Sequence, residues 1–177
     1  MIIERLDFPQ EMVTTLEALR AHLRTSDDDY FDAEIAQMAE AAANEAESFG
    51  ELALLSQRIR VSLDRWWGGQ TFPLPIIPAF DPASVSITAD GTPVLGFTVL
   101  TGLRPAIRLA ELPPDGPVVI EYLAGWPDSA VVPVDLRLAI MDQALAYFDA
   151  RGPEETKLSA RSPQFARIVA RYRRVRI

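Results

Sequence analysis

The chain has 177 residues, 49% of them apolar, with 17 basic and 25 acidic side chains and no cysteine. That length supports one sizeable domain, the net charge of -8 disfavours general binding to phosphate backbones, and the lack of thiols excludes disulfides, a cysteine nucleophile and cysteine-ligated metals. No apolar run approaches the roughly 18 residues that span a bilayer, and Met1-Ile2-Ile3-Glu4-Arg5 lacks the basic-then-apolar order of a signal peptide, so a soluble, unprocessed, intracellular protein is the expectation.

From Glu11 to Leu23, Met12, Leu16, Leu19 and Leu23 follow the spacing of a short amphipathic helix. Thr25 and Ser26 can cap a second helix over Asp27 to Phe49, with Phe31, Ile35, Met38, Ala42, Ala46 and Phe49 on one face and Gly50 as its stop. Its alanines, Ala39, Ala42, Ala43 and Ala46, would let another helix or sheet approach closely. From Leu55 the period becomes two: Leu55, Ile59, Val61 and Leu63 alternate with polar residues through Asp64, and only Gln57 is out of place. Eleven of the 14 prolines lie between Trp66 and Pro133, a density that no helix interior tolerates. Strands are expected there at Ser84 to Ala89, Val94 to Leu100, Ala106 to Leu109 and Val118 to Leu123, separated by turns at Asp90-Gly91, Thr101-Gly102 and Asp115-Gly116. Pro133 can open a helix carrying Leu136, Ile140, Ala144, Tyr147 and Phe148 and ending near Gly152. Ser162 and Pro163 then cap a short basic helix with Phe165, Ile168, Val169 and Tyr172 on its apolar side. The expected fold class is α+β: a helical body of two N-terminal helices and a later one (about 11–49 and 134–151), a small antiparallel β unit (about 54–124), and a basic tail helix. Residues 1–160 would form a single domain and 161–177 a separate basic segment.

Few residues suggest catalysis. His22 is the only histidine, so a Ser-His-Asp arrangement could be built only around it and a two-histidine metal site is excluded. Its plainer use is satisfaction by the C-terminus of its own helix. Asp27, Asp28, Asp29 and Asp32 could hold a hard cation but lack the EF-hand spacing, and compensation of the helix dipole accounts for them. The glycines beside Trp67 and Asp90 match no phosphate-binding loop. Trp66 and Trp67 are read as core or subunit interface before stacking platform. No catalytic residue, metal or cofactor is assigned, and a small hydrolase using His22 lacks a nucleophile in any recognisable motif.

The last 17 residues hold six arginines and no acid. Arg161, Arg167, Arg171, Arg173, Arg174 and Arg176, interleaved with apolar residues, fit a solvated helix face, a nucleic-acid contact or an anchor into an acidic partner. Arginine mixed with aromatic and branched residues is what protein interfaces favour, so the protein partner ranks first. A DNA-contacting accessory protein using this segment is the alternative.

Several phrases add up to a pattern. They are Leu16-Glu17-Ala18-Leu19-Arg20-Ala21-His22-Leu23-Arg24, the aspartate-rich step and alanine-rich helix after it, the strand Leu55 to Asp64, and Val118-Val119-Ile120-Glu121-Tyr122-Leu123-Ala124-Gly125-Trp126. Val132-Pro133 leading into Leu136-Arg137-Leu138-Ala139-Ile140, then Tyr147-Phe148-Asp149-Ala150-Arg151 and the ending Tyr172-Arg173-Arg174-Val175-Arg176, complete it. Together these resemble the head-tail connector (adaptor) proteins of long-tailed double-stranded-DNA phages and of gene transfer agents. The Asp115-Gly116 region lacks the family's usual tryptophan-proline step, so the loops there do not carry over. The resemblance implies a non-enzymatic structural protein in the neck of a virion or gene transfer agent particle, assembled in the bacterial cytoplasm. Copies would form a ring, commonly of twelve, below the portal protein and would join it to the next tail-side (stopper) component. DNA would pass through without sequence-specific binding, and no membrane is involved. The helical part would be the ring body, and the β unit would face neighbours or the tail. The C-terminal segment would reach the portal, which maps portal binding onto Phe165, Arg167, Ile168, Val169, Arg171, Tyr172, Arg173, Arg174 and Arg176. An acidic body suits such a channel because it does not grip phosphates. The 27–49 helix is expected towards the lumen or a subunit contact, and the arginines against portal acids.

Overall fold

In the computed structural model, which describes residues 1–25, 29–67, 69–150 and 161–173, four α-helices and eight β-strands make up an α+β fold. The chain divides into two compact units, each built from two separate stretches. Met1–Gln10 and Leu55–Pro127 form a β unit, and Glu11–Leu54 and Asp128–Ile177 form a helical one. Among the described residues, no helix is long and apolar enough to cross a membrane.

The centre of the β unit is a fully paired antiparallel ladder between β2 (Gln57–Leu63) and β8 (Val118–Ala124). Alternation turns Ile59, Val61 and Leu63 to the same side as Val118, Ile120 and Tyr122, and all six are buried. Gln57, the residue that breaks the pattern, is buried as well, and Arg5 Nη1 donates to its Oε1 at 2.9 Å. A polar residue on the inner face is thus tolerated because its acceptor is paired. Arg5 ends β1 (Ile2–Arg5), a strand without a sequence signal that pairs with β2.

Besides β2, which spans Gln57–Leu63 and not Leu55 to Asp64, two expected strands are shortened. Pro82–Ser84 forms a 3-10 turn capped by Asp81, whose Oδ1 accepts from the Ala83 amide at 2.9 Å, so β4 spans only Ser86–Ala89. The stretch from Val94 to Leu100 divides: the Val94 amide, just after β5 (Thr92–Pro93), donates to the Ile87 carbonyl of β4 at 2.9 Å, whereas β6 (Phe97–Leu100) pairs with β7 (Ala106–Leu109) in a second sheet. Asp90 and Gly91, with φ of 47° and 74°, make the tight hairpin between β4 and β5. The strand orders are β1-β2-β8-β4-β5 and β3-β7-β6, where β3 is Thr71–Pro73.

Beyond β8, Gly125 has φ of +108°, and an added Cβ would stand 2.2 Å from the Leu55 carbonyl oxygen. Its amide donates to the Pro78 carbonyl at 2.9 Å. The Ala124-Gly125-Trp126 phrase therefore has a local cause: Leu55 bridges to Trp126 across a site that only glycine fits.

In the helical unit, α1 spans Leu16–Leu23 and not Glu11–Leu23, because Thr15 is its cap and accepts from the Ala18 amide at 3.2 Å. A 3-10 turn at Asp29–Phe31 leads into α2 (Asp32–Gly50). Ser26, Asp27 and Asp28, the expected cap and dipole residues, lie outside the described residues. The buried line of α2 is Ile35, Ala39, Ala42, Ala46 and Gly50, while Met38 and Phe49 are half-buried. Glu51, not Gly50, adopts the left-handed cap, with φ of 52°. Gly50 is closely surrounded: an added Cβ would lie 2.7 Å from Leu52 Cδ2 and 2.9 Å from Val169 Cγ1, both of them side-chain ends. α3 (Val134–Asp149) packs on α1 and α2, and α4 (Pro163–Tyr172) packs on α2 and α3.

Candidate functional site

α4 starts as its sequence suggests: Pro163 is the first helical residue and Ser162 Oγ accepts from the Phe165 amide at 3.4 Å. The Ser162 amide donates to Oε1 of the buried Gln143 at 2.8 Å, which ties the start of α4 to α3. The strong segregation of its two faces then decides which residues reach the surface. Phe165, Ile168 and Val169 are buried inside the helical unit, whereas Arg167, Arg171 and Arg173 are exposed and Tyr172 is half-buried.

Arg161, Arg171 and Arg173 meet partners within the chain. Arg171 Nη2 donates to Asp135 Oδ2 and the Tyr172 hydroxyl to Asp135 Oδ1, both at 2.8 Å. Asp135 lies in the first turn of α3, where the helix dipole also favours a carboxylate. Arg161 Nε donates to Glu45 Oε1 at 2.7 Å, and the Tyr147 hydroxyl donates to Glu45 Oε2 at 2.6 Å. The guanidinium groups of Arg161 and Arg173 lie 4.1 and 5.6 Å from the centre of the Phe49 ring, within cation-π range. Burial first, and then donation to Glu45, pushes the Tyr147 phenol up to about 12; burial and Asp135 do the same for Tyr172.

Of the nine residues expected to bind the portal, the structure therefore brings Arg167, Arg171 and Arg173 to an outer surface with Tyr172 beside them. It uses Phe165, Ile168 and Val169 to fasten α4 to its own unit. Arg174 and Arg176 lie outside the described residues. α4 itself is one of the packed helices of the helical unit. The partners Asp135, Glu45 and Phe49 were not foreseen. No motif singles them out, and no spacing links them to arginines so far along the chain.

The other candidate residues have structural partners. His22 Nε2 is 3.0 Å from Asp142 Oδ1, so a carboxylate of α3 satisfies it and not the end of its own helix. Arg20 grips Asp32, with Nε donating to Oδ1 at 2.7 Å and Nη2 to Oδ2. Among the described residues, no group of three or more acids or histidines is placed to hold a metal. Trp66 and Trp67 stand against Phe72, with ring centres 5.2 and 6.1 Å away, and Trp66 Nε1 donates to the Gly69 carbonyl at 3.2 Å. Trp67 remains exposed.

No family model and no curated protein matches the chain. Solved structures do. A chain from the virion of a native gene transfer agent particle superposes with a TM-score of 0.80 at 26% sequence identity, covering 100% of this chain and 97% of its own. A chain from the neck of an empty gene transfer agent particle, computed with C6 symmetry, gives 0.77 at 26% identity with the same coverage. One from the neck of a native particle, computed with C12 symmetry, gives 0.70 at 27% identity, again over 100% and 97%. The likeness spans both units and includes α4.

Proposed function

We propose that this chain is the head-tail adaptor of a gene transfer agent or related tailed particle, a non-enzymatic neck subunit. Copies form a ring, twelve-fold in the assembled neck, between the portal protein and the next tail-side component, and DNA passes through it. The observation that carries this reading is the full-length similarity to neck chains of gene transfer agent particles. The Arg167, Arg171 and Arg173 face of α4 is the portal contact in this reading, together with Arg174 and Arg176, which follow in the sequence. The apolar side of α4 is occupied, so recognition there is electrostatic and the portal surface it meets is acidic. The alternative, phosphate binding by the same segment, lacks the full-length similarity to neck chains that supports the adaptor reading.

Deleting α4 would strip Phe165, Ile168 and Val169 from the helical core, so a charge reversal is the cleaner test. Light scattering of the full-length protein mixed with its portal protein should show a large, defined complex. The variant combining Arg167→Glu with Arg171→Glu should keep its fold and lose that complex. Unimpaired portal binding by the variant would remove α4 as the contact. Duplex DNA binding that falls steeply with salt, in place of portal binding, would favour the accessory-protein reading.

A further inference from the structure

The two sheets of the β unit have four edges, and the chain treats them unequally. β5 is two residues long and ends in Pro93, and β3 is three residues long and ends in Pro73. Proline removes an amide donor, so both edges are blunted. β1 and β6 are four residues each and contain no proline.

The ladder phase shows what these two edges offer. The Leu6 amide donates to the Arg58 carbonyl at 2.9 Å, in the register that places Ile3 opposite Val61. Antiparallel alternation therefore turns the Ile3 amide and carbonyl away from β2. At the other edge the Ala110 amide donates to the Gly96 carbonyl at 2.8 Å, in the register that places Val99 opposite Ile107, so the Val99 amide and carbonyl point away from β7. Both edge strands carry exposed apolar side chains: Ile2 (62% exposed) and Ile3 (38%) in β1, and Leu100 (41%) in β6, with Leu95 (87%) just before it in sequence.

An open, unprotected edge flanked by apolar side chains is the geometry that accepts a strand from another chain. A closed ring of identical copies needs a heterologous contact, in which two different patches of the same chain meet head to tail. β1 and β6 are two such patches, equal in length. We infer that β1 of one copy adds to β6 of the next, so that the β units are joined around the ring by backbone hydrogen bonds. The inference rests on the ring reading above and names the strands that close it.

The absence of cysteine allows a direct test on the ring formed with the portal protein. Facing residues on paired strands lie about 4.5–5.5 Å apart between Cα atoms, within the roughly 4.4–6.8 Å that a disulfide bridges. A chain carrying both Ile3→Cys and Val99→Cys should, after oxidation and denaturation, run as a ladder of covalent multimers. A mixture of the two single variants should stop at dimers. In separate chains, Ile3→Pro and Val99→Pro each remove an outward donor without touching a bond to β2 or β7; they should keep the wild-type melting temperature and lose the ring. Rings of unchanged size from both proline variants, with no ladder from the double cysteine variant, would overturn the β1-to-β6 contact and leave the adaptor reading standing. A wild-type chain that forms no ring with or without the portal protein would overturn both.

Discussion

The Tyr122 hydroxyl donates to the carbonyl of Ile76 at 3.0 Å and accepts from the amide of the same residue at 2.9 Å. One buried side chain thereby satisfies both backbone groups of a residue in the proline-rich stretch, where no strand partner is available to them. Burial drives the phenol well above its ordinary pKa, so it stays a donor at any pH the protein meets. Tyr122→Phe leaves two buried backbone groups unpaired and is expected to cost about 2–4 kcal/mol. Urea unfolding should show a lower midpoint with an unchanged slope, and a midpoint equal to wild type would refute the pairing.

Gly125 and Gly50 are both crowded, but by different things. Gly125→Ala would push a methyl into the Leu55 carbonyl at a positive φ, and a loss of about 3 kcal/mol or more is expected. Gly50→Ala would meet the side-chain ends of Leu52 and Val169, which can shift, and it gains about 1 kcal/mol of helix propensity. It should therefore stay within about 1 kcal/mol of wild type. Soluble yield and urea midpoints of the two variants, measured side by side, test the contrast; equal losses would contradict it.

Asp135 holds both Arg171 and Tyr172. Because the pair is partly solvent-exposed, Asp135→Ala should cost only about 1 kcal/mol. Its effect should be local, with faster amide exchange in α4 and little change in the β unit. Uniform loss of protection across the chain would show that α4 does not open separately.

The two tyrosines of the α4 region also set an alkaline limit. Tyr147 and Tyr172 titrate at about 12 in the folded chain against 10.0 ordinarily, so the folded state holds these protons more tightly than the unfolded one. The stability they confer is complete below about pH 10 and is lost as pH rises from there towards about 12. The urea midpoint should decline over that range, and more gently in a chain carrying both Tyr147→Phe and Tyr172→Phe. An identical decline in the two proteins would locate the effect elsewhere.

Periodicity made the paired strands and the last two helices legible. β2 and β8 alternate because each has one face in the core, and α4 shows its cap and both its faces in its spelling. β1 escaped notice because its four residues are exposed or half-buried on either side, which leaves no alternation to read. Met12 continued a helical stripe into residues whose backbone Thr15 claims for a cap. Gly96 lies in an apparently continuous run from Val94 to Leu100 whose two ends go to different sheets. At the candidate site, the stripe of Phe165, Ile168 and Val169 announced a buried face but not what buries it. A partner protein and the chain's own helices write the same pattern, and only the fold separates them. The acids that receive Arg161 and Arg171 are 116 and 36 residues away, a distance over which local spacing carries no information.

The division of the chain also has a mechanical meaning. The backbone leaves the β unit after Gln10, returns at Leu55 and leaves again after Pro127, so the helical unit is spliced between β1 and β2, which are neighbours in one sheet. Tension applied through the helical unit enters the sheet at the C-terminal ends of β1 and β8 and the N-terminal end of β2. All three lie at one end of the antiparallel ladders, where Gln57 stands opposite Ala124 and the Leu6 amide bonds to the Arg58 carbonyl. The load therefore reaches the rungs at that end first, and is not shared evenly along the strands.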